Sequence, residues 1–148
     1  MTADTDPDQV TLADVQAAAD RILGVALRTP LLAFGPFDEE IGAPRIWLKP
    51  ENLQPVGAFK IRGAYNALAT LSPEDRARGV VTHSSGNHAQ GIARAARMLG
   101  MKAVIVMPHD APAIKVAGVR ADGAEIDWVG PDNEERMARA DEIAAERG

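Results

Sequence analysis

Cysteine is absent from the 148 residues of this chain. Disulfides, thiolate zinc sites and cysteine nucleophiles are therefore excluded together. Basic clusters are lacking too: Lys and Arg number 16 against 21 Asp and Glu, for a net charge of −5. With no basic block to hold a polyanion, nucleic acid is not an expected partner. No base precedes Arg21, and no apolar stretch follows the acidic start, so a secretory signal is not expected. The run AVIVM over 103–107 has the length of a buried strand, far below the roughly 20 residues that span a bilayer. These absences predict a soluble, cytoplasmic protein that contacts no membrane. Several chemical signatures are also missing, namely G-x-G-x-x-G, a Walker lysine, H-E-x-x-H and G-x-S-x-G.

What is present is ordinary for a globular chain, with 46% hydrophobic and 25% charged residues. The length suits one ordinary domain. Thr11 and Asp14 make a capping pair ahead of Leu12, Val15, Ala19, Ile22 and Leu23, which predicts a helix ending at Gly24. TPLLAF over 29–34 reads as extended before the Gly35–Pro36 break, and a short strand is predicted over 46–48. Phe59, Ile61, Tyr65, Leu68 and Leu71 recur at helical intervals, which places Lys60 at or near a helix N-terminus; Ser72, Pro73 and Glu74 open a further helical turn.

The second half alternates regularly. Strands are predicted over 80–83, 103–107 and 125–129, each followed by a helical pattern; Gly100 and Gly123 end helices, Pro112 starts one, and Asp132 with Glu135 caps the last. The class is α/β, a parallel sheet with flanking helices joined by right-handed crossovers. Ligands in such sheets bind beyond the carboxyl ends of strands, which directs attention to Ser84-Ser85-Gly86-Asn87-His88. Two hydroxyls, a glycine and the first amides of a helix suit a phosphate or a carboxylate. The same residues also suit simple helix capping.

Lys60 has two readings as well: a solvated surface charge, or an amine among apolar neighbours whose lowered pKa lets it attack a carbonyl. His83, His88 and His109 lack the spacing of a zinc site, so no metal is expected. Trp47 and Trp128 fall in predicted strands, where core packing is expected.

Two segments, ENLQPVGAFKIRGAYNAL (51–68) and THSSGNHAQGIARAARMLG (82–100), resemble the fold-type II pyridoxal phosphate enzymes of the threonine dehydratase, serine dehydratase and serine racemase group. RTPLL (28–32) and AVIVMPHDAPAIKVAGVRADGAEI (103–126) agree in order and spacing. The resemblance implies the small domain and the N-terminal part of the large domain of a tryptophan synthase β-like fold. Residues 1–50 would be the tail, helix and strands of an incomplete large domain, and 51–148 the cofactor-lysine segment and small domain.

It further implies that Lys60 forms the internal Schiff base with pyridoxal 5'-phosphate and moves protons at the substrate Cα. Asn87 would bond the ring hydroxyl, Phe59 would pack near the ring, and Ser84, Ser85, Gly86, Asn87 and His88 would hold the substrate carboxylate. The implied reaction is β-elimination of L-threonine or L-serine to an oxo acid and ammonia. Serine racemisation is the alternative, with Ser85 as the second acid/base. HAQG after Asn87 is closer to the dehydratases.

Family members are about twice as long, and their glycine-rich phosphate loop lies in the second half. No two glycines are adjacent in this chain. Self-association or a separate C-terminal half is therefore expected alongside a small amino-acid substrate. A non-catalytic small-domain module is the reading from another class.

Overall fold

The structure, a computed structural model, describes residues 9–33, 35, 40, 42 and 46–148. Its elements run α1 (Leu12–Arg21), β1 (Leu32–Ala33), β2 (Trp47–Leu48), a 3-10 turn (Glu51–Leu53), α2 (Lys60–Ala69), α3 (Pro73–Arg78), β3 (Val80–His83), α4 (Asn87–Met98), β4 (Ala103–Pro108), α5 (Ala113–Ala121), β5 (Glu125–Val129) and α6 (Asn133–Arg147). Thr11 caps α1 with Asp14 in a reciprocal box, and Ser72 caps α3 ahead of Pro73. The extended stretch expected over 29–34 is described as far as Ala33; Phe34 and the Pro36 break lie outside the described residues. β1 and β2 pair antiparallel as a two-stranded sheet.

The second sheet has the order β3-β4-β5, all parallel. Every residue of β4 is buried, because helices cover both its faces. Strand periodicity divides its side chains. Ala103, Ile105 and Met107 enter a core with Ile61, Leu68, Ile92 and Val119 of the helices on one face. Val104 and Val106 meet Val129, Ala140 and Ile143 on the other. Gly100 and Gly123 stop α4 and α5 with φ of 68° and 77°, values that favour glycine.

Helices α2 and α4 approach closely because α4 presents Ala89, Gly91, Ala93, Ala95 and Ala96 as a buried face of small residues. At the far end of that packing, buried Asp122 binds Arg94 at 2.6 Å and Arg97 at 3.1 Å, tying the end of α5 to α4.

Two expectations are corrected. Trp47 is 52% and Trp128 36% exposed: among the described residues β2 has no covering layer, and β5 is an edge strand whose Trp128 stacks on His109 with centroids 5.7 Å apart. Phe59 is the N-cap of α2, off the Ile61–Ala64–Leu68 face that packs inward, and is exposed. Leu12, Val15, Leu31 and Leu32 are exposed, as expected of a chain that resembles only part of the large domain, so the apolar face of α1 covers little among the described residues.

Candidate functional site

Lys60 is the first residue of α2, and its backbone is held from two sides. On one side, Arg62 donates to Glu51 through Nε at 2.7 Å and through its terminal nitrogen at 2.9 Å, and also reaches the Leu27 carbonyl at 2.7 Å. Glu51 accepts Thr29 Oγ1 at 2.6 Å as well. Buried Gln54 bonds both the amide and the carbonyl of Leu27, at 2.9 and 2.8 Å, so its side chain acts as a strand partner for that residue. These bonds fasten residues 27–29, the 3-10 turn and the first turn of α2 into one unit. On the other side is Gly91 of α4, where an added Cβ would stand 3.3 Å from the Lys60 carbonyl carbon and Cβ. The half-buried Lys60 side chain leaves this frame with Nζ 5.0 Å from the Phe59 ring centroid.

The Arg62 guanidinium, with help from Thr29 and Gln54, lowers the Glu51 pKa from 4.5 to about 2. A depressed carboxylate contributes stability that is complete above its unfolded pKa and is lost as pH falls through the folded one. Melting curves of the wild type and Glu51→Gln are therefore expected to differ most above pH 4.5 and to converge toward pH 2. A constant gap across that range would show that the charge of Glu51 is not what stabilises the frame.

The serine loop continues the β3–β4 ladder by one step, with the Ser84 amide bonded to the Val106 carbonyl at 3.1 Å. Ser84 Oγ accepts the Gly86 amide at 3.2 Å, one residue short of the helix. The N-cap of α4 is Gly86, and no side chain caps the helix. Capping is not what Ser84 and Asn87 do, and the first amides of α4 are open to an anion. Asn87 is exposed, and its Oδ1 accepts a hydrogen bond from Lys115 Nζ on α5. Asn87→Ala is thus expected to change stability by no more than about 0.5 kcal/mol while weakening cofactor retention. A fall of many degrees in Tm would restore a structural role.

Asn87 lies one turn before Gly91 on α4, about 6 Å along the axis from the point where Gly91 meets Lys60. His83 closes β3 and His88 sits in the first turn of α4. Burial lowers the His88 pKa below its usual 6.5, and the charges of Lys60 and His83 lower it further, which favours the neutral ring. The structure therefore gathers Lys60, His83, Ser84, Ser85, Gly86, Asn87 and His88 at the carboxyl end of β3, and Phe59 borders them through its contact with Lys60. His109 is engaged elsewhere, on Trp128.

Sequence reading missed Lys115, Gln90 and the Glu51–Arg62 pair. Charged residues flanking an otherwise apolar lysine segment were the available signal for the pair. Lys115 had none, since nothing in the sequence aligns α5 with α4.

The site thus pairs an amine in a packed frame with an uncapped helix N-terminus. The residues present fit pyridoxal phosphate: a primary amine, an exposed aromatic ring, an amide side chain and open backbone donors. Residues 22–148 match the family described as pyridoxal-phosphate dependent enzyme, and the chain belongs to it. It is 49% identical over 135 residues to L-threo-3-hydroxyaspartate ammonia-lyase of Pseudomonas sp, covering 91% of this chain and 42% of that protein. It is 49% identical over 117 residues to L-threonine ammonia-lyase of Thermotoga maritima, covering 79% of this chain and 29% of the relative. Maize serine racemase superposes with a TM-score of 0.85 at 40% identity, over 90% of this chain and 40% of that structure. The chain thus spans less than half the length of the relatives it matches. Among the described residues, no helix is long and apolar enough to cross a membrane.

Proposed function

We propose that the chain carries the amine-bearing half of the active site of a lyase that removes the elements of water from β-hydroxy amino acids, threonine or serine type, and releases ammonia and an oxo acid. The observation that carries this reading is the packing of Lys60 on α2 against α4, which begins with Asn87 after the serine loop. The named activities of the relatives support it, since threonine and 3-hydroxyaspartate are both β-hydroxy amino acids.

Pyridoxal phosphate, when bound, supplies an electron sink that stabilises negative charge at Cα. Lys60 holds the cofactor through its amine and moves the Cα proton. Asn87 donates to the ring oxygen. Ser84, Ser85, Gly86 and the open amides of α4 take the substrate carboxylate, and His88 can donate a ring N–H to it. Phe59 shields one edge of the site from water.

Serine racemisation is the second reading, favoured by Ser85, whose exposed side chain has no hydrogen-bond partner among the described residues. Inversion at Cα needs a second acid/base, and elimination does not. In an assay with L-serine, L-threonine and L-threo-3-hydroxyaspartate, ammonia release dependent on the cofactor and on Lys60 is the expected result, with Ser85→Ala retaining it. Rates are expected far below the usual 10 per second or so, because a phosphate held by several backbone amides gains charge-assisted bonds that the relatives' remaining length would supply. Loss of D-serine formation alone in Ser85→Ala would move the reading to the racemase, and ammonia release that persists undiminished in Lys60→Ala would overturn the lyase.

A further inference from the structure

Resting on the reading of Asn87 as the group that holds the cofactor's ring oxygen, we propose that Lys115 is a positioning residue that fixes which edge of the Asn87 carboxamide faces the cofactor. A carboxamide accepts through its oxygen and donates through its nitrogen, and the two ends are nearly the same size. Its terminal torsion is broad and roughly two-fold. An ionised ring oxygen only accepts, so it needs the nitrogen edge. Something must therefore hold the oxygen edge away.

Helix α4 does not do this, because Asn87 makes no capping bond there. Helix α5 does. Lys115 Nζ donates to Asn87 Oδ1 and, at 3.1 Å, to Gln90 Oε1. An ammonium has three donors and no acceptor, so it can engage only the oxygen of Asn87, which leaves Nδ2 directed elsewhere. Gln90 steadies the ammonium from three residues along α4. Its own side chain lies where a Cβ on Gly118 would stand, and Gly118 is three residues beyond Lys115 on the same face of α5. The bare backbone at Gly118 thus makes room for the Gln90 side chain that holds Lys115, and Lys115 orients Asn87. A cation behind Asn87 also favours the anionic form of the ring oxygen.

The test is a double-mutant cycle on the chain, read as pyridoxal phosphate affinity by fluorescence titration and as the pH midpoint of the visible absorbance of the bound cofactor. Lys115→Met is expected to weaken binding roughly tenfold, the size of one charged hydrogen bond, and to shift the pH midpoint, whereas Lys115→Arg, which can reach both oxygens, stays within about threefold. In the Asn87→Ala background, Lys115→Met should add nothing. The Asn87 side-chain amide resonances of ligand-free, nitrogen-labelled protein should shift in Lys115→Met, which reports orientation with no cofactor present. Equal losses with and without Asn87, or unmoved resonances, would overturn the proposal and leave Lys115 as a general cation. Failure of borohydride to trap cofactor on Lys60 in the wild type would instead overturn the functional reading on which it rests.

Discussion

Lys60→Ala is expected to abolish covalent capture of pyridoxal phosphate, with borohydride-trapped label falling to background in peptide mapping. The structure explains why no other lysine substitutes. Lys49 donates to the Thr29 carbonyl at 2.9 Å and pairs with Glu51 at 3.8 Å. Lys115 is held by Asn87 and Gln90. Lys102 precedes β4, at the amino end of the sheet, where its carbonyl receives the Val80 amide. Lys60 alone reaches the carboxyl end of β3 with an amine that makes no hydrogen bond or ion pair among the described residues. For the same reason its loss should cost less than about 1 kcal/mol of stability, the value of its contact with Phe59. Label on Lys49, Lys102 or Lys115 with none on Lys60 would refute the assignment.

Gly91→Val is expected to damage both the fold and the site, by about 3 kcal/mol, because small-to-large changes in a packed interior force backbone shifts. The Cβ alone would press on Lys60 at 3.3 to 3.4 Å, and valine adds two methyl groups beyond it. Helix α2 must retreat, and Lys60 moves with its backbone. Chemical denaturation and the rate of borohydride trapping would therefore fall together. Gly63→Ala gives the contrast. No atom lies within 4 Å of a Cβ there, and replacing a mid-helix glycine should stabilise by about 0.5 to 1 kcal/mol. Equal effects at the two positions would mean that the α2–α4 approach does not set the lysine.

The alternating second half was legible because its signals are local. Val80–His83 and Glu125–Val129 have the bounds that the sequence predicts, and β4 extends only to Pro108 beyond the expected Met107. Short runs rich in β-branched residues, each preceded by a glycine of positive φ (Gly79, Gly100, Gly123) that stops the helix before it, leave few other conformations. Thr11, Ser72 and Asp132 cap their helices as their side-chain chemistry requires. The tryptophans were misplaced because strand propensity says nothing about whether a strand lies at an edge. The serine loop was ambiguous for a similar reason, since hydroxyls ahead of a helix serve capping or ligand binding equally well until their partners are seen.

By itself, then, the sequence determined the α/β class, the family resemblance, the lysine in its GAFKIRGA setting and the position of the serine loop after a strand. All of these are read from short local segments and their order along the chain. The tertiary structure decided what depends on distance along the chain. Glu51 and Arg62 close around Leu27 and Thr29, Gly91 admits the Lys60 backbone, and Lys115 crosses 28 positions to the Asn87 carboxamide. A hydrogen bond acts over about 3 Å of space whatever the sequence separation, so only the packed helices reveal which side chains share it.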